Sequence, residues 1–224
     1  MTSSHPDYLS RREFLAKALQ SSSLAMLAMS FGNQAAARIS DKTKSTALIY
    51  ATRYGATRDT SVWVRKGMDM PVDLLDIERI SFTDVLSEYD HIIVGSGIWI
   101  KGVHQRVPEF FGAGREALRE KLLGTFIVCG SADGSEKGKE RIVHYLDNMH
   151  ALLLARPTLS GAFGGRLVVD RLTEEDRTKL TAFYKNFLNE ELRDWDLTNP
   201  GKAKRFGREA KQLEAGPALQ PAMR

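Results

Sequence analysis

The sequence of 224 residues holds one cysteine, Cys129. A single thiol closes no internal disulfide and builds no cysteine metal cluster, so both are excluded. Standing behind Phe126-Ile127-Val128, it reads as a small buried apolar residue. Blocks of like charge are also missing. The net charge is +4 and the basic excess is thinly spread, which reads as solvated surface and argues against a nucleic-acid partner. No Gly-Lys-Ser/Thr ending of a triphosphate loop occurs, nor the three spaced glycines of a dinucleotide fingerprint. His91, His144 and His150 share no metal-like spacing, no Ser-His-Asp arrangement stands out, and no metal site is expected. His104, on the first turn after Gly102, could reach a ligand at the sheet edge, although a lone histidine at a helix start is more often structural or solvated. No catalytic residue can be named.

What is present is an ordinary globular composition, 42% hydrophobic and 27% charged, and a length that fits one domain with a leader or tail. The chain is organised around Ser45 to Thr57. A short apolar run, Ala47 to Ala51, breaks into a hydroxyl- and glycine-bearing loop, Thr52 to Thr57, and helical character follows from Arg58 to Met70. In such a strand–loop–helix unit, loop amides and the helix N-terminus converge on one point that favours an anion. Thr52 and Thr57 add hydroxyl donors, and Gly55 permits close backbone approach. With Arg53 its only cation, the loop suits a phosphate monoester held by neutral donors. The alternative is an ordinary turn whose threonine caps a helix.

The N-terminus reads as an address. Ser10-Arg11-Arg12-Glu13-Phe14-Leu15-Ala16-Lys17 closely resembles the twin-arginine export motif. A weakly apolar run, Ala18 to Phe31, is too short and too polar for a membrane span, which needs about 20 apolar residues. Ala35-Ala36-Ala37 offers a small-residue cleavage site. Residues 1–37 are therefore expected to be a signal, cleaved or kept as an anchor. The twin-arginine translocase is then the partner during export, and the destination is periplasmic or extracytoplasmic. That route carries proteins folded before export, often with a cofactor inserted.

Downstream, strands alternate with helices. Strands are expected over 71–80, 90–95, 124–130 and 157–163, the last ended or bulged at Gly164-Gly165, with Arg166 to Val169 as a possible continuation. Helices are expected over 83–89, over 103–121 with a possible break near Gly112 and Gly114, and over 138–154. Another should start at Thr173 with Leu180, Phe183, Tyr184, Phe187 and Leu188 as its apolar face, and a last one over 200–213. The tail, 214–224, is expected to be disordered, and 38–213 to form one domain. This alternation predicts a parallel sheet covered on both faces, with ligand loops at the carboxyl ends of its strands. Two more loops at that edge are candidates. Ser96-Gly97-Ile98-Trp99-Ile100-Lys101-Gly102 offers backbone amides, an aromatic face and a cation; Gly130, Ser131 and Asp133 lie where close approach to a planar ligand is possible. Trp99 as a core aromatic, Lys101 as a solvated cation and the Gly130 loop as a plain connection are the alternatives.

The loop Thr52-Arg53-Tyr54-Gly55-Ala56-Thr57 after Leu48-Ile49-Tyr50 resembles the phosphate loop of the flavodoxin family, which binds flavin mononucleotide (FMN). Together with the run from Gly95 to Gly102 and with Arg193-Asp194-Trp195, it is most similar to the subgroup containing menaquinone-dependent protoporphyrinogen oxidase. The resemblance implies an α/β, flavodoxin-like, doubly wound five-stranded parallel sheet in the order 2-1-3-4-5. It places the FMN phosphate at Thr52, Arg53, Tyr54, Gly55, Ala56 and Thr57, and the ring beside Ser96 to Gly102. The implied function is an exported FMN-binding flavoprotein passing electrons to a redox partner protein or membrane quinone. The alternatives are a quinone-dependent oxidoreductase and a cofactor-free binding module on the same fold.

Overall fold

A computed structural model of the chain describes residues 45–100 and 102–214. The expected leader (1–37), Lys101 and residues 215–224 of the expected tail lie outside the described residues. Strand β1 (Thr46–Ala51) is followed by helix α1 (Ala56–Met68), then β2 (Asp73–Asp76), α2 (Phe82–Glu88), β3 (His91–Trp99) and β4 (Gly102–Val103). Two short helices, α3 (Arg106–Ala113) and α4 (Arg115–Lys121), lead to β5 (Leu122–Cys129) and α5 (Glu136–His150). The chain then forms β6 (Leu159–Gly164), β7 (Arg166–Leu167), α6 (Glu174–Phe183), β8 (Trp195–Asp196) and α7 (Pro200–Glu214).

The main sheet has the order β2-β1-β3-β5-β6, every neighbour parallel, with β4 hairpinned back on the end of β3. With β4 set aside, this is the expected flavodoxin-like order. The strands are apolar on both faces because both are covered, and the period of two sorts their side chains. Ile49, Ala51, Ile92, Val94, Ile127 and Cys129 face Val107, Phe110, Phe111, Leu118 and Met149 of α3, α4 and α5. Leu48, Ile93, Phe126, Val128 and Phe163 face Val64 and Met68 of α1 and Ala203, Phe206 and Ala210 of α7. Phe126, Phe163 and Phe206 meet edge to face at centroid distances of 5.5–5.8 Å. Each such pair adds about 0.5–1.5 kcal/mol beyond its buried area. Cys129 is buried and free, and burial pushes its thiol up.

Helices α1 and α7 cross with almost no side chain between them. A Cβ on Gly67 would lie 2.1 Å from the Lys204 carbonyl oxygen, and one on Gly207 would lie 2.1 Å from the Val64 carbonyl oxygen. Only glycine permits that approach.

Three expectations are corrected and one is made definite. The third strand runs on to Trp99, because Ile98 and Trp99 pair antiparallel with Val103 and Gly102; the expected loop is largely a tight hairpin. The helix expected over 103–121 does break where its glycines allowed, into two helices divided at Gly114, the C-cap of one and N-cap of the next. Arg166-Leu167 does not continue β6. The Gly165 amide donates to the Cys129 carbonyl and the Leu197 amide to the Gly165 carbonyl (3.2 and 2.9 Å), and the strand leaves the sheet to pair with Trp195-Asp196. Phe187 is 76% exposed and does not belong to the apolar face of α6. The helix widens to a π turn at Tyr184–Leu188, which shifts the phase of the side chains beyond it.

Candidate functional site

The β1–α1 connection is built by its own hydrogen bonds. The Gly55 amide donates to Thr52 Oγ1 at 3.0 Å, and Gly55 takes the left-handed conformation (φ 90°) as the N-cap of α1. No side chain caps α1, so its first-turn amides and the positive end of its dipole face the space beyond the strand end. A Cβ on Gly55 would meet nothing within 4 Å, so the space beside Gly55 is open. Thr52 Oγ1 accepts from Gly55 and keeps its own proton to donate. Thr57 is 2% exposed, and its Oγ1 lies 2.9 Å from where a Cβ on Gly97 would stand. The Thr52–Thr57 loop and the end of β3 therefore touch through a hydroxyl and a missing side chain. This is a cradle of neutral donors, and its residue types fit a phosphate monoester.

Arg53 and Tyr54 turn away from that cradle, toward α6. The Arg53 Nε and a terminal guanidinium nitrogen donate to the two carboxylate oxygens of Asp176, each at 2.6 Å. The Tyr54 hydroxyl donates to the same carboxylate and accepts from the Thr173 amide at 3.2 Å. Thr173 Oγ1 accepts from the Asp176 amide at 3.2 Å, which makes it the expected N-cap of α6. Burial alone would push the Asp176 carboxyl up. The hydrogen bonds from Arg53 and Tyr54, with the Arg53 charge, outweigh burial and hold it below the usual carboxylate range. The same pairing raises the Arg53 guanidinium.

Trp99 closes this group. The Arg53 guanidinium carbon lies over its ring at 5.0 Å, and the Tyr54 ring is tilted against it at 5.8 Å. Tyr54 and Trp99 pack with Tyr184, Leu192 and Trp195 on Leu167, Leu172 and Leu180. Trp99 is thus half-buried at the junction of the sheet edge with the segment 165–198.

The remaining candidates fall into place around them. Buried Ser96 accepts from the His104 amide at 3.0 Å and donates to the Gly97 carbonyl, holding the base of the β3–β4 hairpin. His104 also faces Glu78 at 3.4 Å, a structural setting. Ile98 and Trp99 are in strand, Ile100 is at the exposed tip, and Gly102 turns the chain with φ 106°. In the next loop the Asp133 carboxylate accepts from the Ser135 amide and hydroxyl (2.9 and 2.8 Å), and these bonds hold it below its ordinary range. Asp133 serves its own turn. Ser131 lies beside it, and Gly130 abuts the Trp195 indole, whose ring is 3.3 Å from where a Gly130 Cβ would stand.

Three site neighbours have no counterpart among the candidates read from the sequence. Asp176 reads there only as a first-turn acid of a helix. Trp195 Nε1 donates to the Tyr184 hydroxyl at 2.7 Å, and burial raises the Tyr184 phenol despite that bond. Arg166 pairs with Asp59 of α1 at 2.7 Å, a second link between the segment and the first βα unit. A shallow depression of about 280 Å³ lies between β7 and β8, against Arg166, Asp194 and Trp195.

The sequence profile of the flavodoxin domain matches residues 47–191, from β1 to beyond α6. The chain belongs to the flavodoxin domain family. No curated protein matches it in sequence. Among solved structures, this flavodoxin-domain chain is similar to the two-electron reduced flavodoxin of Megasphaera elsdenii, at 16% identity and TM-score 0.45, covering 74% of this chain and 98% of that one. It is similar to a flavodoxin, WrbA-like protein from Agrobacterium tumefaciens at 14% identity and TM-score 0.44, covering 77% and 98%. A flavodiiron core from Synechocystis sp. aligns at 13% identity and TM-score 0.46, over 79% of this chain and 37% of that larger one.

Proposed function

We propose that the chain is an exported flavoprotein that binds FMN at the β1–α1 loop and transfers electrons to a redox partner protein or a membrane quinone. The observation that carries this reading is the uncapped N-terminus of α1 behind a left-handed Gly55, flanked by Thr52 and buried Thr57, in a chain of the flavodoxin domain family. Thr52, Thr57 and the loop amides would hold the phosphate; the β3–β4 hairpin and the Gly130 loop would flank the ring. The bound flavin supplies the electron-accepting chemistry, and the protein supplies placement and electrostatics. Here the chain's own part is to fix the loop through Thr52 and Gly55, to cover the sheet edge with Trp99 and Trp195, and to keep charge near the loop balanced.

The test is titration of flavin-free protein with FMN and with riboflavin, followed by flavin fluorescence. FMN is expected to bind more tightly by the contribution of its phosphate, and absence of flavin binding would remove the reading. Export is tested separately: Arg11→Lys with Arg12→Lys should strand folded protein in the cytoplasm, and unchanged delivery rejects the twin-arginine address.

A second reading, a quinone-dependent oxidoreductase of the protoporphyrinogen oxidase type, is favoured by Trp195. That residue of the shared Arg-Asp-Trp run packs on Gly130, and so brings the segment 165–198 to the ring side of the proposed cofactor loops. Quinone reduction that requires a bound organic substrate would select it over simple electron carriage.

A further inference from the structure

Two side chains of the proposed phosphate loop hold Trp99, and both are held by a third. Arg53 covers its ring and Tyr54 leans on it. Both are bonded to the carboxylate of Asp176, 123 and 122 positions away in the sequence. That carboxylate is 1% exposed, whereas the Arg53 side chain is 50% exposed. The rigid member of the group is therefore the acid, and the arginine and tyrosine are arranged upon it. The ring of bonds closes through Thr173, which accepts from the Asp176 amide while its own amide donates to Tyr54. A bidentate Arg–carboxylate pair fixes the plane of the guanidinium as well as its position. Here that plane lies over an indole at the sheet edge.

We propose that Asp176 is a positioning residue of the flavin site: one buried carboxylate, carried on the segment after β6, orients Arg53 and Tyr54 and through them sets the Trp99 indole. The proposal rests on the reading of the β1–α1 loop as the FMN site. It also assigns Arg53 a different duty from the rest of its loop. With its charge matched by Asp176 and its face on Trp99, Arg53 shapes the aromatic wall, and the phosphate is left to the neutral donors Thr52, Thr57 and the loop amides.

The first measurement needs no flavin. Near-ultraviolet circular dichroism is compared for the wild type, Asp176→Asn, Trp99→Phe and the double variant. Asp176→Asn keeps the side-chain shape and removes the charge. It is expected to abolish the part of the indole signal that Trp99→Phe also abolishes, with no further change in the double variant. An Asp176→Asn difference of equal size with and without Trp99, or no difference at all, overturns the proposal. Thr173→Ala serves as the structural control: it loosens α6 and leaves the carboxylate, so it should lower the melting temperature and retain the band. Loss of the band in folded Thr173→Ala protein overturns the proposal as well, because the helix anchor would then set the indole. If Asp176→Asn does not fold, Arg53→Gln, at a half-exposed side chain, carries the same expectation of a lost band, and a retained band refutes it.

The second measurement uses FMN and riboflavin. Arg53→Gln should leave the ratio of the two affinities within about twofold, since a phosphate contact by an arginine is a charge-assisted bond whose loss shows as a tenfold or greater fall. Such a fall would put Arg53 on the phosphate and refute the assignment. A wild-type chain that binds neither flavin removes the FMN reading while the indole result stands. A chain that binds FMN with an unmoved indole band removes Asp176 alone.

Discussion

Gly207→Ala sets two physical effects against each other, and the structure decides between them. Alanine is the better helix former by about 1 kcal/mol, so propensity alone predicts a more stable protein. The new Cβ would stand 2.1 Å from the Val64 carbonyl oxygen and 2.9 Å from the Met68 nitrogen, where ordinary contact begins at 3.4 Å. The shortfall at the oxygen is roughly 1.3 Å, larger than the fractions of an ångström a packed core absorbs cheaply. The atoms in the way are backbone, so no rotamer change relieves it. Helices α1 and α7 must part, and Val64, Met68, Ala203, Phe206 and Ala210 lose contact as they do. Overpacking costs about 1–3 kcal/mol and this backbone clash belongs at the upper end, so the net loss is about 2 kcal/mol after the propensity gain. That corresponds to a melting temperature lower by about 4–8 °C for a domain of this size. Gly112→Ala is the matched control, because its Cβ would meet nothing within 4 Å, and it should be neutral or stabilising. Gly67→Ala attacks the same crossing from the other helix, against the Lys204 carbonyl, so the double variant should lose less than the sum of the singles. Thermal and urea melts of the four variants read this directly. If Gly207→Ala and Gly112→Ala both stabilise, the close crossing of α1 and α7 is wrong.

Other expectations follow from the site and the sheet. Thr57→Ala should weaken FMN by about ten- to a hundredfold, since one charge-assisted bond is worth about 1.5–3 kcal/mol, and should leave riboflavin nearly unaffected; equal losses for both ligands would make Thr57 a purely structural residue. Gly97→Ala should act in the same direction, because its Cβ would stand 2.9 Å from Thr57 Oγ1 and displace that hydroxyl, and calorimetry with the two flavins shows whether the loss is specific to the phosphate. His150 is buried, with Nε2 2.7 Å from Thr125 Oγ1, and burial, reinforced by the nearby Arg156, lowers its pKa below the ordinary 6.5. The unfolded chain then binds the proton more readily, so the neutral histidine's contribution is complete above about 6.5 and is lost as pH falls through the range below. His150→Gln should flatten that part of the stability profile, and an unchanged slope between pH 7 and pH 5 refutes the assignment.

The sheet was legible because its evidence is local. Runs such as Ile92-Ile93-Val94 are apolar on both faces only in a strand covered twice, and alternation with helices fixes the parallel class. The loop at Thr52–Thr57 was legible as a strand–loop–helix junction for the same reason. What escaped were contacts between distant parts of the chain. Asp176 has the sequence signature of a first-turn helix acid, and it does hold that position behind the Thr173 cap; nothing local says that its carboxylate reaches Arg53, 123 residues earlier. The departure of Arg166-Leu167 from the sheet depends on Trp195-Asp196, about 30 residues on, so an apolar run after β6 read naturally as its continuation. The close crossing does have a local signature: Ala203, Gly207 and Ala210 recur at helical spacing on α7 as a stripe of small residues. The widened turn at Tyr184–Leu188 had no such signal, and it is what put Phe187 in solvent.

The segment 165–198 and the Thr52–Thr57 loop are bonded directly to each other. The segment buries only Leu167, Leu172 and Leu180 in a cluster of its own, and that cluster is completed by Tyr54 from the Thr52–Thr57 loop and Trp99 from β3. Its two ion pairs to the rest of the domain, Asp176 with Arg53 and Arg166 with Asp59, both end on the first βα unit. Arg166 and Asp59 are each about a quarter to two-fifths exposed, so solvent screens that pair and it contributes modestly. The Asp176 carboxylate is buried, and removing its partner leaves an uncompensated charge, which is far costlier. Besides its apolar cluster, the segment is thus anchored by one carboxylate seated on the loop proposed to receive the phosphate. A ligand that fixed Thr52–Thr57 would also fix Arg53 and Tyr54, and with them this anchor. Binding at the loop would then be linked to the seating of the segment.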